Sequence, residues 1–370
     1  MLLILCIIYY FMVIRAPEAF ANSNPSKESF QNFDPAPTSP NYTLLNIQPA
    51  AAKQVGYIGP SEEGGTFNPS TGILNALNAG VRFLILQIDY LDSNKPGFES
   101  VGVPTLVYRN NSGNIVSSNG ESITDVANNL ATYAFNSQVP TNEQPLVLYL
   151  HFVRTPNYVT SPTKYMTFLS AVAAALQPIQ PMILQDDFTR QKNEVGLLNT
   201  PLMTFNKKII VLTNVDTSFF RNAAQLGLAT VGSKEDLDAM VHLRVYLEDE
   251  NDPIGATMVS SSPNAVILSY DHLIALSPPQ QVTFAEKGRS RFVIVMPKPV
   301  QNPSQKDIAI LMKNTGVNIL PVNLFGQSYQ DFSGNLKAWG AKPFSTMKPV
   351  LLQSVKTSTT GYNENFMSSP

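Results

Sequence analysis

One cysteine, Cys6, and one tryptophan are all that this 370-residue chain holds of either type. A lone cysteine excludes both a disulfide framework and a cysteine-rich metal site. Histidine is almost as scarce. His151, His242 and His272 are far apart in the chain and lack the paired spacing of a zinc site. Charge is sparse too, with 14% of residues Asp, Glu, Lys or Arg and a formal net charge of −2. No basic block appears, so nothing supplies the electrostatic footprint of nucleic-acid binding. No G-x-G-x-x-G follows a strand, and Gly64-Gly65 is not a phosphate loop. What the chain has in quantity is apolar side chains, at 44%. It can bury a large core, and its surface must be dressed with Ser, Thr, Asn and Gln rather than charge.

Met1 to Ile14 is apolar without a break, and Arg15 follows. Two readings of residues 1–21 fit. One is a single-pass N-terminal membrane anchor, although a spanning helix needs roughly 20 residues. The other is a signal peptide cut after Ala19-Phe-Ala21, leaving a secreted body. Residues 22–54 carry five prolines and little periodicity, and read as an extended tether. A folded body over 55–354 and a Ser/Thr/Asn-rich tail over 355–370 complete the expected organisation.

Within the body, Gly72 to Leu91 sets the pattern. Ile73, Leu74 and Leu77 share a helical face, Gly80 ends the helix, and Arg82 to Asp89 is a strand apolar on both faces. Val55–Gly59, Val103–Tyr108, Pro145–Val153, Lys207–Thr213, Val241–Tyr246, Ala265–Ser269, Arg291–Met296 and Gly316–Asn323 read as further strands. Helical patterns at 121–135, 164–176, 218–227, 233–239, 280–287 and 304–314 alternate with them. Strand–helix alternation over some 270 residues predicts a parallel sheet covered by helices. About eight strands suit a TIM-like (β/α)8 barrel, with some distortion admitted, better than an open doubly wound sheet. Gln87 and Asp89, two apart near a strand's C-terminal end, point to one side, where barrels keep their chemistry.

The ordered blocks Ala79-Gly-Val-Arg-Phe-Leu84, Pro104-Thr-Leu-Val-Tyr108, Asp125-Val126, Tyr133-Ala-Phe135, Pro145 to Leu150, Lys208-Ile-Ile-Val-Leu212, Ser290-Arg-Phe292, Gly316-Val-Asn318 and Val322-Asn-Leu-Phe325 resemble the catalytic X region of phosphatidylinositol-specific phospholipase C. That resemblance implies a TIM-like barrel, phosphoric diester hydrolysis and lipid metabolism. It also implies two catalytic histidines, because imidazole moves protons near neutral pH. At the place of the first stands Ser61-Glu62-Glu63, and at the place of the second stands Arg109. The calcium site of some members falls on Ile85, Gln87 and His151, which lack the oxygen ligands a hard cation wants, so no cofactor is expected. Asp89 serves only if the register shifts by two.

The candidate mouth residues are therefore Glu62, Glu63, Asp89, Arg109 and His151, with Arg291 at the place of a phosphate-binding arginine. His151 also reads as a hydrogen-bonded structural histidine, and Arg82 as an ion-pair partner of Asp89 or Asp92. The expectation is a membrane-tethered, phospholipase C-like barrel that has lost catalysis and acts as a binding or structural protein. Its partners are the membrane through the N-terminal segment, a lipid headgroup or anionic ligand, and capsid or other proteins. The virion setting is implied by degenerate barrels of this family in large DNA viruses. The alternative is an active phosphodiesterase that uses Glu62 or Glu63 with Arg291.

Overall fold

A run of apolar residues covered on both faces forms the centre of the molecule. The computed structural model describes residues 42–59, 64–185, 193–221, 234–247, 264–288, 291–324 and 344–346. Strand β1 (Ile47–Pro49) leads directly into β2 (Ala51–Lys53). Helix α1 (Pro69–Asn78) follows, started by the Asn68 side chain accepting from the Thr71 amide and by Pro69 in its first turn. It stops at Gly80, whose φ of 78° is the left-handed turn that glycine adopts without strain. Next comes β3 (Phe83–Tyr90), the longest strand, seven of its eight residues buried. An antiparallel excursion, β4 (Pro104–Leu106) and β5 (Glu121–Ser122), precedes α2 (Ile123–Tyr133). Then β6 (Leu146–Phe152), α3 (Pro162–Ala175), α4 (Glu194–Asn199) and β7 (Ile209–Thr213) follow in order. The last half holds β8 (Leu243–Arg244), β9 (Tyr246–Leu247), β10 (Ala265–Ser269), α5 (Tyr270–Ala275), α6 (Pro278–Gly288), β11 (Phe292–Met296), α7 (Gln305–Asn314) and β12 (Val322–Asn323).

These strands close on themselves. β12, β2, β3, β6, β7 and β8 pair in parallel in that order. β8 continues through Val245 into β9, which pairs in parallel with β10, and β10 with β11. A parallel bridge, Ile294 to Ile319, joins β11 to the segment that becomes β12. The ring is therefore β2-β3-β6-β7-β8/β9-β10-β11-β12 and back to β2, a TIM-like barrel of eight parallel staves.

Alternation along each strand sends side chains in and out. Phe83, Ile85, Val147, Tyr149, Ile210, Leu212, Ile267, Phe292, Ile294 and Ile319 fill the inside. Leu84, Leu86, Leu148, Leu150, Ile209 and Val211 face the helices. Leu44, Leu45, Ile47, Leu197, Leu198, Leu202 and Phe205 extend the inner cluster at the strands' N-terminal ends. That end is plugged with hydrocarbon.

Several elements differ from the sequence reading. The barrel begins at Ala51, inside the stretch expected to be a tether, while Val55–Gly59 is turn rather than strand. Three alanines and a proline, not β-branched residues, hide that first strand. The segment expected as a strand at 103–108 is short and antiparallel to β3, off the barrel path. Residues 234–240 form turns, not a helix. No helix among the described residues is long and apolar enough to cross a membrane, and Met1–Ile14 lies outside them.

Candidate functional site at the barrel mouth

At the C-terminal ends of the strands the interior turns polar. Lys53 ends β2, Gln87 and Asp89 lie near the end of β3, His151 near the end of β6, and Asn323 ends β12. Parallel register sets Gln87 beside His151 and Asn323 beside Lys53.

Asp89 is 1% exposed and is held by Arg109 through two bonds, Nε to Oδ2 at 2.6 Å and Nη2 to Oδ1 at 2.9 Å. This fork-to-fork geometry is the strongest form of the pair. The remaining guanidinium nitrogen, Nη1, donates to the Gly113 carbonyl at 2.6 Å. Local sequence builds the loop that aims Arg109. The Asn110 side chain accepts from the amides of Ser112 and Asn114, and Gly113 takes a φ of 81°. Antiparallel β4, with Thr105 opposite Asp89, carries this loop back to the mouth.

His151 Nδ1 lies 3.1 Å from the Tyr149 hydroxyl, two residues back on the same inward face. Burial lowers its pKa to about 4, so the imidazole is neutral throughout the physiological range. The same burial raises the Tyr149 phenol well above its ordinary value. Gln87 accepts from the Gln54 amide, and Gln54 adopts a left-handed φ of 56°, uncommon outside glycine. Asn214, just past β7, braces the end of β6, accepting from the Phe152 amide at 2.8 Å and donating to its carbonyl at 3.0 Å.

Lys53 is 1% exposed, and its ammonium donates to the carbonyls of Pro297, Lys298 and Gln301. Burial lowers its pKa toward about 7, while three carbonyl acceptors favour the charged form. Neither Lys53 nor Gln54 was singled out by the sequence. The signal available was a polar pair closing the run Pro49-Ala-Ala-Ala52 ahead of Gly56.

The structure thus brings Asp89, Arg109 and His151 to one end of the barrel. Arg291 lies at the other end, since it immediately precedes β11. Glu62 and Glu63 fall outside the described residues. The residues that follow the first barrel strand are Gln54, Val55 and Gly56, not the stretch around residue 62. Arg82 pairs with neither Asp89 nor Asp92. It is fully buried, donating to Thr141 Oγ1 at 2.7 Å and the Ala134 carbonyl at 2.9 Å, while Asp92 meets Arg154 at 3.0 Å. His242 is structural, accepting from the Val211 amide at 3.0 Å and donating to the Leu184 carbonyl at 2.7 Å. Among the described residues, the donor set around Gln87 does not fit calcium. Ile85 has no oxygen, His151 offers nitrogen, and both Asp89 oxygens are occupied by Arg109.

A closed parallel barrel with this order of excursions is a phospholipase C-like fold. The chain is similar to PLC21 of L. pealei, with 13% identity and a TM-score of 0.58, covering 87% of this chain and 40% of that one. For PLC21 of S. officinalis the identity is 15% and the TM-score 0.56, covering 85% and 38%. A calcium-dependent phosphoinositol-specific phospholipase C from Pseudomonas sp. superposes with 13% identity and a TM-score of 0.48, covering 86% and 99%. This chain therefore spans about two fifths of the length of the two PLC21 chains. No protein-family model matches the sequence, and neither does any curated protein.

Proposed function

We propose that this chain is a phospholipase C-like barrel that binds or braces at its mouth and does not hydrolyse phosphodiesters. The observation that carries this reading is the bidentate Asp89–Arg109 pair. A general acid must be able to give up a proton near neutral pH. A guanidinium does not, and this one is spent on a buried carboxylate. His151 is neutral and tied to Tyr149, which suits a fixed donor or acceptor better than a proton shuttle. The ligand class that fits such a mouth is a neutral, hydroxyl-rich headgroup, held by amides and imidazole rather than by charge. In the same proposal, Met1–Ile14 tethers the body to a membrane, and a lipid-containing particle is its setting.

The test is an assay of the full chain on phosphatidylinositol vesicles and on a soluble phosphodiester. The expected rate equals the buffer control. Turnover that disappears in His151→Gln or Asp89→Asn would overturn the reading. Flotation with vesicles, lost on deleting residues 1–21, tests the tether separately.

A further inference from the structure

A lysine buried to 1% exposure is rare unless its charge is met. Among the described residues no carboxylate meets that of Lys53. Its three N–H donors go to three backbone carbonyls of one loop: Pro297, Lys298 and Gln301. The loop follows β11 and reads Pro297-Lys-Pro-Val-Gln-Asn-Pro303. Its three prolines have no N–H, and one turn closes within it, the Gln301 amide donating to the Lys298 carbonyl at 3.0 Å, so most of its carbonyls are left for the barrel to meet. The Asn323 side chain takes a further one, donating to Pro299 at 2.8 Å.

The remaining anchors run round the rim. The Asn323 amide donates to Asn302 Oδ1 at 2.7 Å, and the Val300 amide to Asn111 Oδ1 at 3.5 Å. Asp271, just past β10, accepts from Lys298 Nζ at 2.6 Å and from Gln301 Nε2 at 2.8 Å. One seven-residue segment thus touches the barrel at β2, β12, the loop carrying Arg109, and the helix after β10. Val300 packs on the outer core and Pro297 and Pro303 are buried at the segment's two ends, while its other attachments are polar. Segments held this way open at lower free energy than the barrel that carries them.

We propose that residues 297–303 form a strap over this arc of the mouth, that Lys53 is its latch, and that lifting the strap admits solutes to the polar end of the barrel around Gln87. The reading does not depend on whether the mouth is catalytic. Lys53 is the deciding contact because it brings a charge and three bonds to the strap from inside the barrel, where Asn323 adds one neutral bond and water does not compete.

The test compares the full chain with Lys53→Met, which keeps the buried stem and removes the ammonium. Hydrogen exchange should rise at least tenfold in the peptide spanning 297–303 and change less than twofold in peptides from β3 and β6. In a Cys6→Ser background, a Gln87→Cys probe should react with a thiol reagent at least tenfold faster when Lys53→Met is added. An unchanged strap, a uniform rise across the barrel, or an unchanged labelling rate would each overturn the proposal. Should Lys53→Met fail to fold, Asp271→Asn carries the test. It cuts the strap's outer anchor, and the same two readouts should move in the same direction by severalfold; no movement overturns the proposal.

Discussion

The two ends of the barrel are built on opposite principles. At the N-terminal ends of the strands, Leu44, Leu45, Leu197, Leu198, Leu202 and Phe205 are fully buried against the inner residues of the staves. Burial of such side chains is worth roughly 1.5 to 3 kcal/mol each and needs no particular partner. At the C-terminal ends, Asp89, Lys53 and Gln87 are also buried but polar, and each is held by specific partners: Arg109, three carbonyls of residues 297–301, and Gln54. Pairs of this kind seldom add net stability over hydrocarbon, yet breaking one is costly. The difference teaches that the plugged end holds the fold, while the polar end spends stability to fix particular groups in place.

The sharpest way to break that contrast is to hollow the apolar part. Phe292 stacks on Phe83 with ring centroids 6.3 Å apart, both rings fully buried. Phe292→Ala should cost about 3 to 5 kcal/mol, read as a shift in the denaturation midpoint at unchanged slope. A loss under about 1 kcal/mol, well below the range for buried phenylalanines, would mean that this end is not the fold's foundation.

Removing a single mate at the polar end should come next in size. Arg109→Met leaves the Asp89 carboxylate 1% exposed with no counter-charge. The expected loss is about 3 kcal/mol. Adding Asp89→Ala should recover at least half of it, because the stranded charge, not the lost attraction, is the larger harm. A double variant as unstable as the sum of the singles would show that the two do not interact.

How much of this was legible beforehand follows the same divide. β3, β6, β7, β10 and β11 were readable because strands covered on both faces are continuous apolar runs. β2 was not, since Ala51-Ala52-Lys53 carries no strand signal and depends on closure against Val322 and Asn323 far along the chain. The expected strand at 241–246 breaks at Val245 because its two halves pair with different neighbours, β7 and β10. Asp89 could be named from a strand end, and Arg109 and His151 from the places that the family resemblance assigns. The Asp89–Arg109 fork could not, because an antiparallel excursion delivers Arg109. Contacts between Lys53 and residues 297–301 cross some 245 positions and leave no local trace.

Titration separates the two ends without a cavity. Burial lowers the His151 pKa from 6.5 to about 4, so the unfolded chain binds a proton there that the folded chain refuses. Stability from this group is complete above pH 6.5 and declines as pH falls from 6.5 toward 4. The full loss is on the order of 2 to 3 kcal/mol, discounted for the ring's partial exposure. His151→Gln should flatten the acid limb of the stability curve over that window. An unchanged limb would mean that the imidazole is not desolvated.

The smallest effect expected is at Asn214, and it bears on how locally the polar end is organised. Its side chain makes two bonds, both to the backbone of Phe152, at the point where β6 leaves the barrel. Asn214→Ala leaves one amide and one carbonyl to find water at the rim, a cost of about 1 kcal/mol. Because no apolar contact is lost, hydrogen exchange should rise at 152–154 and stay unchanged at Leu197, Leu198 and Phe205. If exchange rose at both ends alike, the mouth would be part of the cooperative core, and the division between a hydrocarbon foundation and a paired polar rim would fail.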